Sequence, residues 1–392
     1  MAEPIKVGID IRLIGKQRTG DEVVFFQLVR ELIRRHDSSA RYELYTDETS
    51  DDRLAALRVR LECLGREDIE IVSLPAQNRF IWNGLVLPWR LFRHPVDIFH
   101  TQYILPIAWP KRTKVCAHIH DISFRVHPEW VPKTDLLFLS LLIPRTTRLA
   151  DALIAISEFT RREIAREYPK AANKIVVIEN AAAEEWFQPI PESDVQSVLE
   201  KFHLTRGAYF ISSGTMQPRK NIPFLIACFK EVSRKEGFDY PLLLTGNPLG
   251  HNVDAGLKGE ESGHEKVIFS GYVKDEELRA LVAGSRGYIF PSLYEGFGIP
   301  IEEALALGVP VLASDIPVFR EVGGNRVVYF DPMNLARAVE TLYTFSIAQP
   351  KSTNQAEIGS GENNQERSPY SWKKSAEKLF RLYTTIAPER KS

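Results

Sequence analysis

The chain has 392 residues, 44% hydrophobic and 26% charged, with 50 Lys and Arg against 51 Asp and Glu. That length exceeds one compact core and predicts two domains; the composition excludes a disordered chain, and the balanced charge argues against a nucleic-acid binder. Three cysteines, Cys63, Cys116 and Cys228, lie far apart with no CxxC pair, so neither a zinc site nor a disulfide framework is expected and a reducing, cytoplasmic setting fits.

Residues 1–14 begin a strand pattern and lack the apolar core of a signal peptide. Residues 5–11 alternate as a strand, and 23–33 follow as a helix with Phe26, Leu28, Val29 and Leu32 on its apolar face. Strands are expected at 42–45, 69–74, 98–100, 114–118 and 152–156, with helical stretches between several of them. Repeated β-then-α units predict a parallel sheet covered on both faces. After Asn180 the layout repeats: strands at 209–213, 241–245, 266–270, 287–290 and 309–313, helices near 223–235, 275–283 and 300–307. Residues 349–368 are polar and predict a linker, after which 372–386 resumes a helical pattern with Ala376, Leu379, Phe380 and Tyr383 on one side. No uninterrupted apolar run approaches the ~20 residues of a spanning helix.

Two segments carry the chemistry. Residues 295–304, EGFGIPIEEA, follow a strand and open a helix. Gly296 and Gly298 permit close backbone approach to a ligand, Pro300 suits a first helical turn, and free N–H groups there can hold a phosphate. Glu295 and Glu303, eight residues apart, flank that point, where carboxylates suit sugar hydroxyls better than phosphate; solvated acids on a plain strand–loop–helix turn fit this segment alone equally well. The second segment, Gly214-Thr215-Met216-Gln217-Pro218-Arg219-Lys220-Asn221, follows the strand ending at Ser213. Arg219 and Lys220 could neutralise a departing diphosphate, or form a solvated basic turn capped by Asn221.

Together these segments resemble the family-four, group 1 glycosyltransferases of the GT-B fold. The resemblance rests on the Glu-x7-Glu pair Glu295 and Glu303, the surrounding 291–298 and 303–311, Pro218 to Asn221, Gly271-Tyr272-Val273, Ser314 through Glu321 to Gly323, and, in the first half, His100, His120-Asp121 and Ser157-Glu158-Phe159. It covers nearly the whole chain. It implies that Glu295 contacts donor sugar hydroxyls, Glu303 the nucleotide ribose, Lys220 with Arg219 the diphosphate, Phe297 and Gly298 the phosphate or sugar through backbone amides, and Tyr272 and Val273 the base. It also implies that His120 reaches the sugar from the first domain, and that transfer retains anomeric configuration by front-face attack without a protein nucleophile. No Asp-x-Asp triplet occurs, so no bound metal is called for.

Two positions depart from the family. Thr215 stands where some members carry arginine, and the loop after the first strand, 15–22, is a weak glycine-rich loop with Gly20 as the donor-side glycine. Glu22 is expected to cap the following helix; Asp21 has no assigned role. His118 is expected to be a satisfied core histidine, and Asp121 either orients His120 or simply follows the strand. His100, Gln102 and Tyr103 either line the acceptor cleft or make local loop bonds. The apolar, aromatic segments 80–82, 87–93 and 136–143, followed by Arg145 and Arg148, fit helix packing for most of their residues, with a lipid-linked acceptor at a membrane face as the alternative.

The expected protein is thus an α/β enzyme of the GT-B fold, with two Rossmann-like domains facing across a cleft. Residues 1–183 form the acceptor domain, 184–348 the nucleotide-sugar domain, 349–368 the polar linker, and 369–392 a C-terminal helix returning to the first domain. It is expected to be a retaining hexosyltransferase, with a mannosyl donor first among candidates, that uses a GDP- or UDP-sugar as substrate, holds no permanent cofactor, and acts on a glycan or lipid-linked acceptor. It binds no nucleic acid in this reading, and its cytoplasmic location allows peripheral contact at the inner membrane face. Donor epimerisation at C2 and a silent nucleotide-sugar-binding subunit are the rival functions.

Overall fold

A computed structural model describes residues 3–16, 20–246, 266–348 and 368–388. The expected linker 349–368, apart from Ser368, lies outside the described residues, as do Gln17, Arg18 and Thr19 of the first loop. The chain divides into two compact units: Met1–Ile122, Leu137–Asn180 and Tyr370–Ser392 form the first, and Ser123–Leu136 with Ala181–Pro369 the second. The main boundary falls at Asn180 and Ala181, the C-terminal stretch from Tyr370 groups with the first unit, and residues 123–136 group with the second. The short helix Ser123–Val126 and the turn Pro128–Trp130 belong to the second unit, where the ring of His127 lies edge-on to Tyr294 at 6.0 Å.

The first unit is built on seven parallel strands: β1 (Ile5–Asp10), β2 (Ala40–Thr46), β3 (Ile69–Ser73), β4 (Ile98–Gln102), β5 (Lys114–Ile119), β6 (Ala152–Ala155) and β7 (Ile175–Val177), in the order β3-β2-β1-β4-β5-β6-β7. Strands covered on both faces read as near-continuous apolar runs, and Val7, Ile9, Ile98, Phe99, Val115, Ala117, Leu153 and Ile154 are all fully or almost fully buried. The edge strand β7 escapes a pattern search because its three residues are too short to show a period. The helix Gly20–Arg34 carries Asp21 and Glu22 in its first turn and Arg34 in its last, matching the helix dipole.

The second unit has six parallel strands: β8 (Phe210–Ser213), β9 (Leu242–Thr245), β10 (Val267–Gly271), β11 (Gly287–Phe290), β12 (Val311–Ser314) and β13 (Val328–Phe330), in the order β10-β9-β8-β11-β12-β13. Its core gathers Phe229, Phe238 and Phe345 around Phe210, with ring centroids 6.1, 6.3 and 6.1 Å from that of Phe210. Both sheets are therefore Rossmann-like, each with a point where strand order reverses beside its first strand.

The C-terminal helix Trp372–Ile386 buries Trp372, Ala376, Leu379, Phe380 and Tyr383 and packs on the helix Gly20–Arg34 of the first unit. Polar ties fix its register: Ser375 Oγ donates to the Glu179 carbonyl at 2.6 Å, Lys378 Nζ pairs with the Glu179 carboxylate, and the Tyr383 hydroxyl meets His100 Nδ1 at 2.6 Å. Arg35 lies over the Phe380 ring at 4.4 Å. Leu379 is fully buried in this seam. Leu379→Ala should cost about 2–5 kcal/mol, read as a lower midpoint in urea unfolding, whereas Thr384→Ala on the exposed side of the same helix should move it little.

Candidate active site

In the second sheet β8 lies between β9 and β11, so the chain leaves β8 toward one side and returns at β11 on the other. Ligands of open α/β sheets bind beyond the carboxyl ends of strands at such a reversal. The loops following β8 and β11 are the two segments singled out in the sequence, and they are joined directly: the Leu293 N–H donates to the Arg219 carbonyl at 2.8 Å.

Glu295 is the centre of this junction. Its Oε1 accepts from Lys220 Nζ at 2.6 Å and from Ser292 Oγ at 2.9 Å, and its Oε2 accepts from Arg219 Nη1 at 2.8 Å. The carboxylate is 8% exposed. Burial pushes its pKa up, but Arg219, Lys220 and Ser292 reverse that and hold it below its ordinary 4.5. The Arg219 guanidinium is steadied by Gln217 Oε1 at 3.0 Å, and Lys220 Nζ sits 5.0 Å from the Phe290 ring centroid. Thus Arg219 and Lys220 are not a loosely solvated turn. Asn221 does not cap the following helix Ile222–Val232 with its side chain; it takes a left-handed φ of 54° and donates to the Pro332 carbonyl.

Gly298 opens the helix Ile299–Ala306 at φ 110°, a value side chains avoid, and an added Cβ would stand 3.0 Å from the Phe319 ring. Pro300 occupies the first turn, and Phe297 is buried. Glu303 is half-buried on the same helix. Burial raises the pKa of the Tyr288 phenol against the opposing bond from Ser213, and the charges of Glu303 and Glu295 add to the rise. That hydroxyl meets Ser213 Oγ at 2.7 Å. Of the expected base-pocket residues, Tyr272 is 67% exposed and Val273 is buried, both just past β10. Thr215 is exposed beside Gly214.

The first sheet reverses between β1 and β4. Asp10, at the end of β1, accepts from Trp82 Nε1 at 2.9 Å and from the Arg12 N–H at 3.1 Å; burial raises its pKa despite these partners. Gly20 is exposed at the start of its helix. Glu22, 2% exposed, accepts from the Gly15 N–H at 3.2 Å and from Arg60 Nη1 at 2.8 Å, tying the first loop back to its helix. Three imidazoles stack along the ends of β4 and β5: His100 to His118 at 5.9 Å and His118 to His120 at 4.7 Å. His120 Nε2 meets Gln102 Oε1 at 2.8 Å, its Nδ1 lies 3.9 Å from Asp21 Oδ1, and the Tyr103 ring is 5.4 Å away. His118 is a core histidine but not a satisfied one: neither ring nitrogen has a hydrogen-bond partner among the described residues. Ring stacking holds it, and burial, with His120 and His100 nearby, drives its pKa well below the usual histidine range; burial and His120 push His100 down to about 3. Among the described residues no three His, Cys, Asp or Glu side chains gather as a metal-ion site.

Ser292, Tyr288, Phe290 and His127 were not singled out as site residues. Ser292 was legible, three residues before Glu295 within the same motif. Tyr288 and Phe290 read as ordinary strand residues, and His127 lies in a segment whose membership of the second unit is set by tertiary packing.

A depressed carboxylate contributes stability that is fully present above its ordinary pKa and lost as pH falls through the folded value. Lys220→Met should therefore cost about 2 kcal/mol near pH 7, with the gap in thermal midpoint from the parent chain narrowing as pH drops below 4.5. A gap independent of pH would show that Lys220 acts through packing rather than through the Glu295 charge.

Residues 199–359 match the family described as Glycosyl transferases group 1, and residues 18–185 that described as Glycosyltransferase Family 4. The chain is 28% identical to O-antigen chain mannosyltransferase B of Escherichia coli over 301 residues, which is 76% of this chain and 77% of that protein. It is 30% identical over 342 residues to the Escherichia coli O-antigen biosynthesis glycosyltransferase WclY, 84% of this chain and 86% of the relative. The crystal structure of Anabaena Alr3699/HepE in complex with UDP-glucose superposes with a TM-score of 0.66 at 17% identity, covering 97% of this chain and 100% of that one. The paired-carboxylate loop, the Arg-Lys turn tied to it and two parallel Rossmann-like units agree with these matches, and the chain belongs to the group 1, family 4 glycosyltransferases of the GT-B fold.

Proposed function

We propose that this glycosyltransferase moves a hexosyl group, mannosyl from GDP-mannose, to a glycan or lipid-linked acceptor with retention of anomeric configuration. The observation that carries this is the convergence of Arg219 and Lys220 on the single buried carboxylate Glu295, beside the start of the helix Ile299–Ala306. Two cations against one carboxylate leave a positive excess next to a helix N-terminus, a setting that favours a diphosphate. As the glycosidic bond of the donor breaks, negative charge grows on that diphosphate, and cations already held in place stabilise it without rearrangement. The departing oxygen takes the acceptor's proton, so positioning and charge stabilisation are what the side chains supply.

The family resemblance adds the remaining roles. Glu295 binds sugar hydroxyls, Glu303 the ribose, and the amides of Phe297 and Gly298 the phosphate or sugar. Tyr272 and Val273 line the base pocket, with Thr215 on the diphosphate loop; by the same resemblance Gly20 is a donor-side glycine and His120 a sugar-contacting histidine. Mannose is favoured over other hexoses by the mannosyltransferase relative.

With GDP-mannose and a mannosylated lipid-linked acceptor, Glu295→Ala and Lys220→Ala should each lower turnover about 100-fold to 1,000-fold while circular dichroism stays unchanged. His120→Ala should fall in the same assay. The product anomer, read by NMR, should match the donor's. Near-normal rates in both Glu295→Ala and Lys220→Ala would remove the site, an inverted product would remove the front-face mechanism, and conversion of donor without acceptor would identify an epimerase. A thermal-shift series should show GDP and GDP-mannose raising the melting temperature more than UDP counterparts; the reverse order would replace the donor.

A further inference from the structure

We propose that the first unit docks on an anionic lipid surface through the outer face of its helical run 79–93 and the adjoining face of the helix Lys133–Leu149. The run is continuous, from Arg79–Ile81 through a π-helical turn at Trp82–Val86 to Leu87–Arg93. Its inner side is anchored: Trp82 is fully buried with Nε1 on Asp10, Leu87 and Leu91 are buried, and Arg90 donates to Glu43 at 2.7 Å. Its outer side is apolar too. Leu85, Trp89 and Phe92, at spacings of four and three that share a helix face, are 67%, 61% and 57% exposed. Leu85, Trp89 and Phe92 thus form an exposed apolar strip opposite the buried Trp82, Leu87 and Leu91, and the inner anchors mean that the run presents this strip without rearrangement.

The patch extends beyond the run. Phe80, 59% exposed, packs edge-on against Phe138 at 5.0 Å, which brings in Leu137 and Leu141, 63% and 65% exposed one turn apart on Lys133–Leu149. The Ile107 N–H donates to the Asn83 carbonyl at 2.9 Å, setting the 65%-exposed Ile107 beside the π-helical turn. Contiguous exposed apolar surface of this kind marks an interaction site. Among the described residues no helix is long and apolar enough to cross a membrane, so the run would lie along the interface, where Trp and Phe are at home.

Charge selects the occupant. Residues 74–120 contain six Lys and Arg and one acid, Asp97, in a chain whose totals balance at 50 and 51. Arg93, Lys111 and Arg112 are exposed, and Arg79 lies over the Phe138 ring at 4.5 Å. Basic residues beside an apolar interfacial helix suit anionic headgroups. A second copy of this chain would set the same cations against each other across a twofold interface.

The test is flotation of the full chain with vesicles of neutral phosphatidylcholine and with vesicles also containing phosphatidylglycerol; it needs neither donor nor turnover, so it stands apart from the transferase assay. The chain should float with the anionic vesicles and less so as salt rises. Trp89→Ser with Phe92→Ser should weaken partition about tenfold or more, while Phe269→Ser, exposed on the second unit, should not. Should the double variant melt early, Arg93→Glu with Lys111→Glu gives the same reading by charge reversal. No flotation with either vesicle, undiminished flotation of both double variants, or a dimer in light scattering that Trp89→Ser/Phe92→Ser dissolves without any vesicle binding would each overturn the proposal.

Discussion

A carboxylate removed from water is costly unless its charge and lone pairs are met. Glu295 is buried, and it is met by Lys220, Arg219 and Ser292 together. Those partners come from two loops that are 75 residues apart in sequence and adjacent only because β8 and β11 are neighbours in a parallel sheet. The ion cluster and the Leu293-to-Arg219 backbone bond lock the loops into one surface. Everything proposed for the donor depends on that lock: it fixes where the cations point, keeps Glu295 ionised, and sets the origin of the helix on which Glu303 rides.

The same physics shapes the first unit with different residues. Asp10 ends β1 as a buried acid whose pKa is raised by burial; its bond to Trp82 pins the π-helical turn, and through it the orientation of the whole 79–93 run. Tertiary contact thus couples the polar end of the sheet to an apolar outer surface. The histidine stack shows the opposite solution. His118 has no hydrogen-bond partner among the described residues, so its burial is tolerable only as the neutral imidazole, held by aromatic packing between His100 and His120.

Catalysis by fixed charge requires that the charge be held before the substrate arrives. In the second unit that holding is done by groups of opposite sign that a diphosphate and a sugar would in turn engage: the carboxylate restrains the cations, and the cations keep the carboxylate ionised. This arrangement needs no strong general base among the surrounding side chains, in keeping with the proposed reaction, in which the leaving group takes the acceptor's proton.

Much of the fold was legible in the chain because parallel strands covered on both faces read as apolar runs, and helices between them as 3.6-residue patterns. Among the described residues the expected strands lie within a few residues of those observed, except that β7 and β13, three residues each at sheet edges, were too short to show a period. The Glu295, Lys220 and Glu303 motif was legible because a loop that must approach a ligand between strand and helix needs glycine, proline and charge in a fixed local order. What only the tertiary structure decided was which distant groups meet. That Glu295 pairs with both Arg219 and Lys220, that residues 123–136 join the second unit, that Asp21 stands near His120, and that Trp82 is buried while Trp89, seven residues on, is exposed are outcomes of strand order and packing. Local periodicity carries the direction of a side chain relative to its own element, and only the neighbours of that element determine whether the direction leads to solvent, to core or to a partner.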